Sequence, residues 1–454
     1  NRPSAPTGTH TPSSGPVTAP RPARQRDRRH RSARSGFDIV LDVHLADRPQ
    51  PVPVGRLAQR GHDVFFEYDT AFLAAGIELS PLGLPLVPGV QQEPTRIFAG
   101  LHGVFFDSLP DGWGLRLMDR EFASRGIEPA TVTPLERLQC VGTRAMGGLT
   151  YHPSLDFEPG SSHIQLDELA AQSERIYDGS PEQVLPALMT MGGSAAGARP
   201  KVLVAYNLDT NDMRAGADVI PAGYRAYLIK FPTAEDGADI GAVEMAYAEM
   251  ARAAGVTVPP TQLFTTDQGR RCFGVERFDR VGAERRHVHT LGGLLHVSHR
   301  DFGCTYTEYL RVVAGLTRDR RETLQAFRRM VFNVLAYNRD DHVKNFAFLM
   351  DPTGTWRLTP AYDLVYAAGP AGEHSMMVGT EGARPTYRNF LEVAERAAIT
   401  APEVAAIVQQ VAKSVNGWPR YARTFGVTQA TTAKISEALG RASRDGLEGR
   451  PRIL

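Results

Sequence analysis

Apolar residues recur at helical spacing along several stretches of the chain. Three clear cases are "TLQAFRRMVFNVLAY" (Thr323 to Tyr337), "VEMAYAEMARAAG", which ends at Gly255, and "TAPEVAAIVQQVAKSVNGW" near the carboxyl end. Shorter apolar runs, such as "KVLVAY", "AYLIK" and "FAFLM", are typical of strands. The pattern therefore predicts a chain of mixed helices and strands.

The polar segment "NRDDHVKN" lies between a predicted helix and a predicted strand, where a surface loop needs no such charges. After the strand, a turn at "DPTG" and a second strand, "TWRLTPAYDLV", bring in Asp363. Asp340, Asn345 and Asp363 match the needs of phosphoryl transfer, in which one carboxylate orients the attacking hydroxyl and a carboxylate with an amide oxygen holds Mg²⁺. A capping and turn cluster is the structural alternative. A zinc site fits less well, because His342 has no second His or Cys at ligand spacing.

Lysine is rare here: the chain has only Lys201, Lys230, Lys344, Lys413 and Lys434 against a large excess of arginine. A compact ammonium is therefore expected where a tight polar site requires it. Lys201 follows the small residues of "GGSAAGARP", which allow backbone N–H groups to approach an anion. This is not a Walker A loop, because a strand and not a helix follows the lysine. A plain flexible loop is the alternative.

Lys230 lies on a predicted strand, and Glu244 lies in the first turn of the helix predicted from "VEMAYAEMARAAG". Protein kinases hold the phosphates of their nucleotide with a strand lysine paired to a helix glutamate. A surface salt bridge of little energetic value is the alternative.

Length and composition limit the classes of protein. A chain of 454 residues predicts two or three domains, and 42% hydrophobic with 22% charged residues is ordinary for a soluble protein. We find no apolar run that predicts a membrane span, and the amino end has no apolar segment typical of a secretory signal. Three widely spaced cysteines argue against disulfides and fit a reducing cytoplasm.

Residues 1–36 contain eight arginines and one aspartate and almost nothing apolar, which predicts a disordered tail. Without this tail the chain is mildly acidic. The basic arm could touch nucleic acid, but an inert extension is the alternative.

In chain order, the motifs resemble the HipA-like serine/threonine kinases of bacterial toxin–antitoxin systems. "FFEYDTAFL", "PLGLPLVP" and "GVFFDSLPDGWG" resemble the N-terminal segment of that family, and "GGSAAGARPKVLV" resembles its phosphate-binding loop. "YLIKFP", "FGVERFDR", "NRDDHVKNFAFL" and "LTPAYDL" resemble its nucleotide lysine, hinge, catalytic loop and metal-binding aspartate.

The resemblance implies ATP and Mg²⁺ as cofactors and a role for each matching residue. Asp340 would be the catalytic base, Asn345 and Asp363 would bind Mg²⁺, and Lys344 and His342 would lie near the γ-phosphate. Glu244 would orient Lys230, and Ser194 would be the autophosphorylated residue whose modification silences the kinase. The nucleotide would contact Ser194, Ala195, Ala196, Gly197, Ala198, Arg199, Lys201 and Lys230, with adenine held by Glu276, Arg277 and Phe278.

The resemblance also implies an α+β fold: a bilobal protein-kinase-like structure with an additional N-terminal α/β subdomain and a mainly α-helical C-terminal lobe. The expected divisions are the tail (1–36), the N-terminal subdomain (37–155), the nucleotide lobe (156–282) and the helical lobe (283–454). "LPDGWG" is interpreted as a structural turn that fixes Trp113 in the core. The histidines at 287, 289, 296 and 299 are interpreted as a satisfied polar loop.

The implied partners are a protein substrate, of which aminoacyl-tRNA synthetases are the class suggested, and a small HipB-like helix-turn-helix antitoxin. DNA would be contacted only through that antitoxin, in the cytoplasm and away from membranes. Two other functions remain open. The chain could phosphorylate a small molecule, or it could be a non-catalytic co-repressor that acts through its antitoxin.

Overall fold

The computed structural model describes residues 36–155, 166–179, 188, 191, 197–215, 220–301 and 303–450. The predicted tail lies outside these ranges except for Gly36, and Ser194, Ala195 and Ala196 also lie outside them. Within the described ranges the chain is a mixed α/β structure whose strands form four sheets. No helix in this part of the chain is long and apolar enough to cross a bilayer.

The first sheet and its helices form the N-terminal region. Its antiparallel strands, in the spatial order β4-β3-β2-β1-β5, are β1 (Ile39–Leu45), β2 (Val52–Arg60), β3 (Asp63–Tyr68), β4 (Val90–Gln91) and β5 (Leu149–His152). Leu41, Val43 and Leu45 alternate along β1 and are fully buried, so one face of the sheet packs on the core. The helices are α1 (Thr70–Ala75), α2 (Gly103–Phe106), α3 (Gly112–Ser124) and α4 (Pro134–Val141).

The second sheet carries the two lysines that the sequence singled out. Its antiparallel strands lie in the order β7-β6-β8-β10-β9 and are β6 (Lys201–Tyr206), β7 (Met213–Ala215), β8 (Arg225–Lys230), β9 (Thr261–Thr265) and β10 (Arg271–Glu276). Helix α5 (Leu166–Tyr177) precedes it, and α6 (Ile240–Ala253) packs against β9 and β10. The predicted helix ending at Gly255 is therefore confirmed, with Glu244 in its second turn and not its first.

Two small sheets and most of the helices form the C-terminal part. The strands are β11 (Arg280–Val281) with β12 (Glu284–Arg285), and β13 (His287–Thr290), β14 (Ala347–Met350) and β15 (Trp356–Leu358). The helices are α7 (Leu291–Leu295), α8 (Tyr306–Thr317), α9 (Arg320–Leu335), α10 (Tyr387–Arg396), α11 (Ala401–Val415), α12 (Trp418–Thr424) and α13 (Gln429–Gly446). Helices α9 and α11 confirm the two helices predicted from periodicity near these positions.

One predicted strand is wrong in length. The run "TWRLTPAYDLV" forms a strand only over Trp356–Leu358, and Asp363 lies in the loop that follows, at φ +53°. The N–H of Thr359 still bonds to the carbonyl of Ala347 at 3.1 Å, but Pro360 has no N–H with which to extend the ladder. The chain therefore leaves the sheet and carries Asp363 toward the second sheet.

Buried polar contacts join the N-terminal region to the rest of the chain. Asp279 accepts hydrogen bonds from Arg277 (2.9 and 2.8 Å), from Arg280 (2.8 Å) and from the backbone N–H of Gly147 (2.8 Å). Arg280 continues to the carbonyls of Gly147 (2.9 Å) and Ala145 (2.8 Å). Asp279 and Arg280 are both buried, so this joint is a charge cluster shielded from water.

Two of the predicted loop histidines belong to a second such joint. His289 is buried and lies between Ser80 Oγ, 2.8 Å from its Nε2, and Asp107 Oδ2, 2.6 Å from its Nδ1. His287 is also buried, and its Nε2 lies 3.1 Å from the carbonyl oxygen of Leu79. Both histidines have structural partners, but the predicted loop is wrong here, because they lie on strand β13, and the buried Nδ1 of His287 has no hydrogen-bond partner among the described residues.

Candidate active site

Two lysines lie side by side on neighbouring strands of the second sheet. Lys201 begins β6 and Lys230 ends β8, and the two residues are paired directly in the antiparallel register. Directly opposed residues in an antiparallel ladder project from the same face of the sheet. One face therefore carries both of the lysines that the sequence predicted to contact phosphates.

Lys230 is the centre of a three-residue charge cluster. Its Nζ donates to Glu244 Oε2 on α6 at 2.6 Å and to Asp363 Oδ1 at 2.6 Å. The Glu244 side chain is 4% exposed, so this is a buried ion pair and not the surface salt bridge considered as the alternative. The sequence placed Lys230 beside Glu244, and the tertiary structure adds Asp363 from more than a hundred residues away.

The charges in this cluster stabilise one another. Burial disfavours the ammonium of Lys230, but Asp363 and Glu244 outweigh burial and raise the pKa of Lys230. Burial likewise disfavours the carboxylate of Asp363, but Lys230 and then Lys201 lower its pKa below the ordinary value. The pKa of Lys201 is lowered, first by burial and then by repulsion from Lys230, against the attraction of Asp363. Asp363 is therefore ionised at neutral pH.

The adjacent aspartates of the 338–345 loop have different environments. Asp341 is buried and accepts three hydrogen bonds, from Tyr306 Oη (2.6 Å), His374 Nδ1 (2.8 Å) and the Ser375 N–H (2.8 Å). The side chain of Asp340 is exposed, and its Oδ1 lies 3.9 Å from His342 Nε2. Asp341 thus anchors the loop, whereas Asp340 remains accessible.

The surroundings of Asp340 favour proton uptake. Although the side chain of Asp340 is 60% exposed, its partial burial against the loop raises its pKa, and the carboxylates of Asp363 and Asp341 raise it further, against the opposing effect of His342. A raised carboxylate pKa brings the group closer to the range in which it accepts protons effectively near neutral pH.

Asn345 and Tyr362 connect the loop to the segment that carries Asp363. The amide nitrogen of Asn345 donates to the carbonyl oxygen of Asp340 at 2.7 Å. Tyr362 is the residue before Asp363, and its Oη donates to the carbonyl oxygen of Lys344 at 2.7 Å. The loop that carries Asn345 is therefore tied to the segment that carries Asp363 through the Tyr362 hydroxyl.

The structure adds a residue that sequence reasoning missed. Asp111, in the N-terminal region, accepts a hydrogen bond from Lys344 Nζ at 2.7 Å through Oδ2 and another from the backbone N–H of Gly197 through Oδ1. The sequence predicts a structural turn at "LPDGWG" with Trp113 in the core; Trp113 is fully buried, but Gly112 and Trp113 are the first residues of α3. Nothing in the local spacing distinguished Asp111, because both of its partners come from distant parts of the chain.

The segment predicted to hold adenine begins at Glu276, the last residue of β10. Its first two N–H groups are already used: Glu276 donates to the Pro260 carbonyl at 2.9 Å and Arg277 donates to the Ala226 carbonyl at 2.8 Å. The guanidinium of Arg277 pairs with Asp279 in the charge cluster that joins the N-terminal region to the rest of the chain. The ring of Phe278 lies 5.7 Å from the ring of Tyr362, which brings this segment close to the Asp363 loop.

The other predicted residues fall into two groups. Gly197 and Ala198 lie against the backbone of Gly112, and Arg199 pairs with Asp236 at 2.8 Å and approaches Glu244 at 3.8 Å. The remainder of the predicted phosphate loop, including Ser194, is outside the described residues.

Two protein residues, Asn345 and Asp363, are expected to bind Mg²⁺. Within the described ranges, no group of three or more His, Cys, Asp or Glu side chains is arranged to hold a metal ion. Magnesium sites in phosphoryl-transfer proteins commonly use one or two protein ligands together with substrate phosphates and water. An ionised Asp363 and the amide oxygen of Asn345 fit that type of site.

Comparison with known proteins identifies the family. Residues 193–418 match the HipA-like C-terminal domain, and residues 41–152 match the HipA N-terminal domain. The chain belongs to the HipA-like family. The resemblance found in the sequence motifs is confirmed by these two matches, which cover both the N-terminal region and the candidate site.

This HipA-like protein is similar to two known proteins. It is 27% identical over 318 residues to Y4dM of Sinorhizobium fredii, which is classed as a kinase by name, and the match covers 66% of this chain and 68% of Y4dM. It also matches a chain in the solved complex of the Shewanella oneidensis MR-1 toxin–antitoxin proteins HipA and HipB with operator DNA. That match has a TM-score of 0.65 and 18% identity and covers 89% of this chain and 96% of the other. The two chains share a fold.

Proposed function

We propose that this HipA-like protein is an ATP- and Mg²⁺-dependent serine/threonine protein kinase that acts as a toxin. One observation carries the proposal: Lys230 holds Glu244 and Asp363 together, both at 2.6 Å, beside a loop that presents Asp340 and Asn345. Phosphoryl transfer is catalysed mainly by positioning and by electrostatic stabilisation, and these residue types supply both.

Each part of the site has a distinct task. Lys201 and Lys230 offer positive charge to the phosphates of ATP, and Glu244 fixes the direction of Lys230. Because the N–H groups of Glu276 and Arg277 are already bonded, we assign adenine to the carbonyl of Glu276 and the N–H of Phe278. Asp363 and Asn345 would hold Mg²⁺, which neutralises phosphate charge when it is bound.

Asp340 is the residue we assign to the attacking hydroxyl. Its carboxylate is accessible, and its raised pKa suits a group that orients the hydroxyl of a serine or threonine and accepts its proton. Lys344 and His342 belong to the same loop, and we assign both to the neighbourhood of the γ-phosphate, where the Lys344 ammonium would stabilise the negative charge of the transferred phosphoryl group.

Membership of the HipA-like family supports the choice of substrate and partners to test. We infer a protein substrate, with aminoacyl-tRNA synthetases as the first class to test, and Ser194 as a site of autophosphorylation. A phosphate there would add about −1.5 to −2 charge to the loop expected to receive the phosphates of ATP. The match to a chain of a HipA–HipB–DNA complex supports a small antitoxin as the partner, with DNA contacted through it.

The first test is to incubate purified wild-type and Ser194→Ala protein with ATP and Mg²⁺ and to measure intact masses. We expect the wild type to gain one phosphoryl group at Ser194 and the variant to gain none there. A protein that binds ATP but transfers phosphate neither to itself nor to a set of aminoacyl-tRNA synthetases would contradict the kinase proposal.

A pH profile tests the assignment of Asp340. Because the ionised carboxylate is the active form, the rate should fall as the pH falls through the pKa of Asp340, which is raised above its ordinary value. His342 lowers that pKa, so His342→Gln should move the acidic limb of kcat/KM to higher pH. An acidic limb that does not move in His342→Gln would assign the titration to another group.

A further inference from the structure

Asp111 connects three parts of the chain at one side chain. It comes from the N-terminal region, 86 residues before Gly197 and 233 residues before Lys344, yet it bonds to both. One carboxylate oxygen accepts from the Lys344 ammonium and the other accepts from the backbone N–H of Gly197. The candidate catalytic loop and the end of the candidate phosphate loop therefore meet at a residue that neither of them supplies.

The residues after Asp111 fix its position. Gly112 has φ +45°, and a Cβ built on it would lie 2.6 Å from Ala198 Cα, so a larger residue would collide with the loop. The backbone N–H of Trp113 donates to the Gly197 carbonyl at 2.9 Å, and its indole Nε1 donates to the Lys201 carbonyl at 3.0 Å. Three consecutive residues thus contact the segment that leads into β6.

Asp111 and Lys344 form an ion pair that is mostly shielded from water. The side chains of Lys344 and Asp111 are 13% and 24% exposed, and the Lys344 ammonium also lies 5.1 Å from the centre of the Phe106 ring. Burial disfavours the Asp111 carboxylate, but Lys344 and the Gly197 N–H outweigh burial and lower its pKa. The N-terminal region therefore holds Lys344 on two sides, with a charged carboxylate and an aromatic ring.

We propose that Asp111 is a positioning residue for phosphoryl transfer, which orients Lys344 and fixes the backbone of Gly197 and Ala198 beside it. The ammonium has three donors, so a bond to Asp111 leaves two for a phosphate. The role parallels that of Glu244 at Lys230, and it makes the N-terminal region part of the active site. This inference rests on the proposed kinase function, but it does not assign Asp111 any contact with substrate.

A double-mutant cycle tests whether Asp111 acts through Lys344. In the full-length protein, Asp111→Asn should lower kcat about tenfold or more, as expected for loss of a charge-assisted hydrogen bond, with a smaller change in the KM for ATP. In a Lys344→Met background the same substitution should lower kcat by less than about twofold, because the partner is already absent. Asp111→Glu should recover part of the loss.

The matched control is Asp119→Asn. Asp119 lies on α3, the helix that begins directly after Asp111, and pairs with Arg137 at 2.7 Å, so this variant also replaces a carboxylate that is paired with a cation. Its kcat should stay within about twofold of wild type. If the double variant lost kcat by the product of the two single-variant reductions, Asp111 and Lys344 would act independently and the proposal would be overturned. A higher kcat or tighter ATP binding in Asp111→Asn would also overturn it, because either result would show that the carboxylate competes with phosphate.

Amide hydrogen exchange separates this inference from the kinase proposal. In Asp111→Ala, which removes both acceptor oxygens, exchange at residues 197–199 should be faster than in wild type, and in Asp119→Ala it should be unchanged. If the wild type transfers no phosphate at all, the kinase proposal fails and the exchange result still decides whether Asp111 fixes this segment. Unchanged exchange in Asp111→Ala would overturn the positioning role.

Discussion

Replacing Asp340 by Asn is expected to reduce phosphoryl transfer by roughly 10²- to 10⁴-fold, the usual contribution of a positioned general base. ATP binding should persist, because Lys201, Lys230 and Asp363 are unchanged. The thermal stability should be equal to that of the wild type or slightly higher. The raised pKa of Asp340 means that the folded protein disfavours the ionised carboxylate, so replacing it by a neutral amide removes an unfavourable charge from the folded state. Single-turnover kinetics and thermal unfolding measure the two effects.

The neighbouring residue provides the sharpest comparison. Asp341→Asn should lower thermal stability, because Asp341 is buried with three hydrogen-bond donors around its carboxylate. Asp351→Asn, in the turn between β14 and β15, removes a carboxylate that accepts hydrogen bonds from Thr353 and Thr355 of its own turn, and it should change activity little. Asp340→Asn protein that retains wild-type turnover would refute the assignment of the base.

Replacing Asp279 by Asn should have the largest effect on stability, a loss of about 3–5 kcal/mol in the free energy of unfolding. The substitution removes the carboxylate charge that pairs with the buried guanidinium of Arg280 and weakens the bond to the Gly147 N–H. Denaturant unfolding followed by tryptophan fluorescence should report this loss. Asp42→Asn is the control, since Asp42 pairs with Arg56 at 2.9 Å but is 52% exposed, and it should cost less than about 1 kcal/mol.

The effect of Asp279 should depend on pH with a defined sign. Burial disfavours its charge, but Arg277 and Arg280 outweigh burial and lower its pKa well below the ordinary value. Stability from such a group is fully present above the unfolded pKa of about 4 and is lost as the pH falls through the folded pKa. The difference between wild type and Asp279→Asn should therefore narrow below about pH 4. A difference that is constant with pH would point to packing and not to charge.

Local sequence was enough for the elements that present the site. The periodicity of residues 323–337 predicted α9, the run before Gly255 predicted α6, and "KVLVAY" and "AYLIK" predicted β6 and β8. These predictions hold because burial of one face repeats at a fixed interval along a helix or strand. The strand expected to reach Asp363 was wrong, because Pro360 ends the ladder and a loop with positive φ follows.

The sequence by itself determined the family, the order of the motifs and the residue types of the candidate site. It marked Lys230 and Glu244 as a pair because a strand lysine with a helix glutamate is the arrangement by which protein kinases hold nucleotide phosphates. Only the tertiary structure decided that Asp363 shares Lys230 with Glu244, that Asp340 is exposed while Asp341 is buried, and that Asp111 reaches Lys344. Two of these findings are contacts between residues more than a hundred positions apart. The third is a difference in burial between adjacent residues. Periodicity and spacing describe the nearest few residues, and contacts of this kind arise only when separate elements pack together.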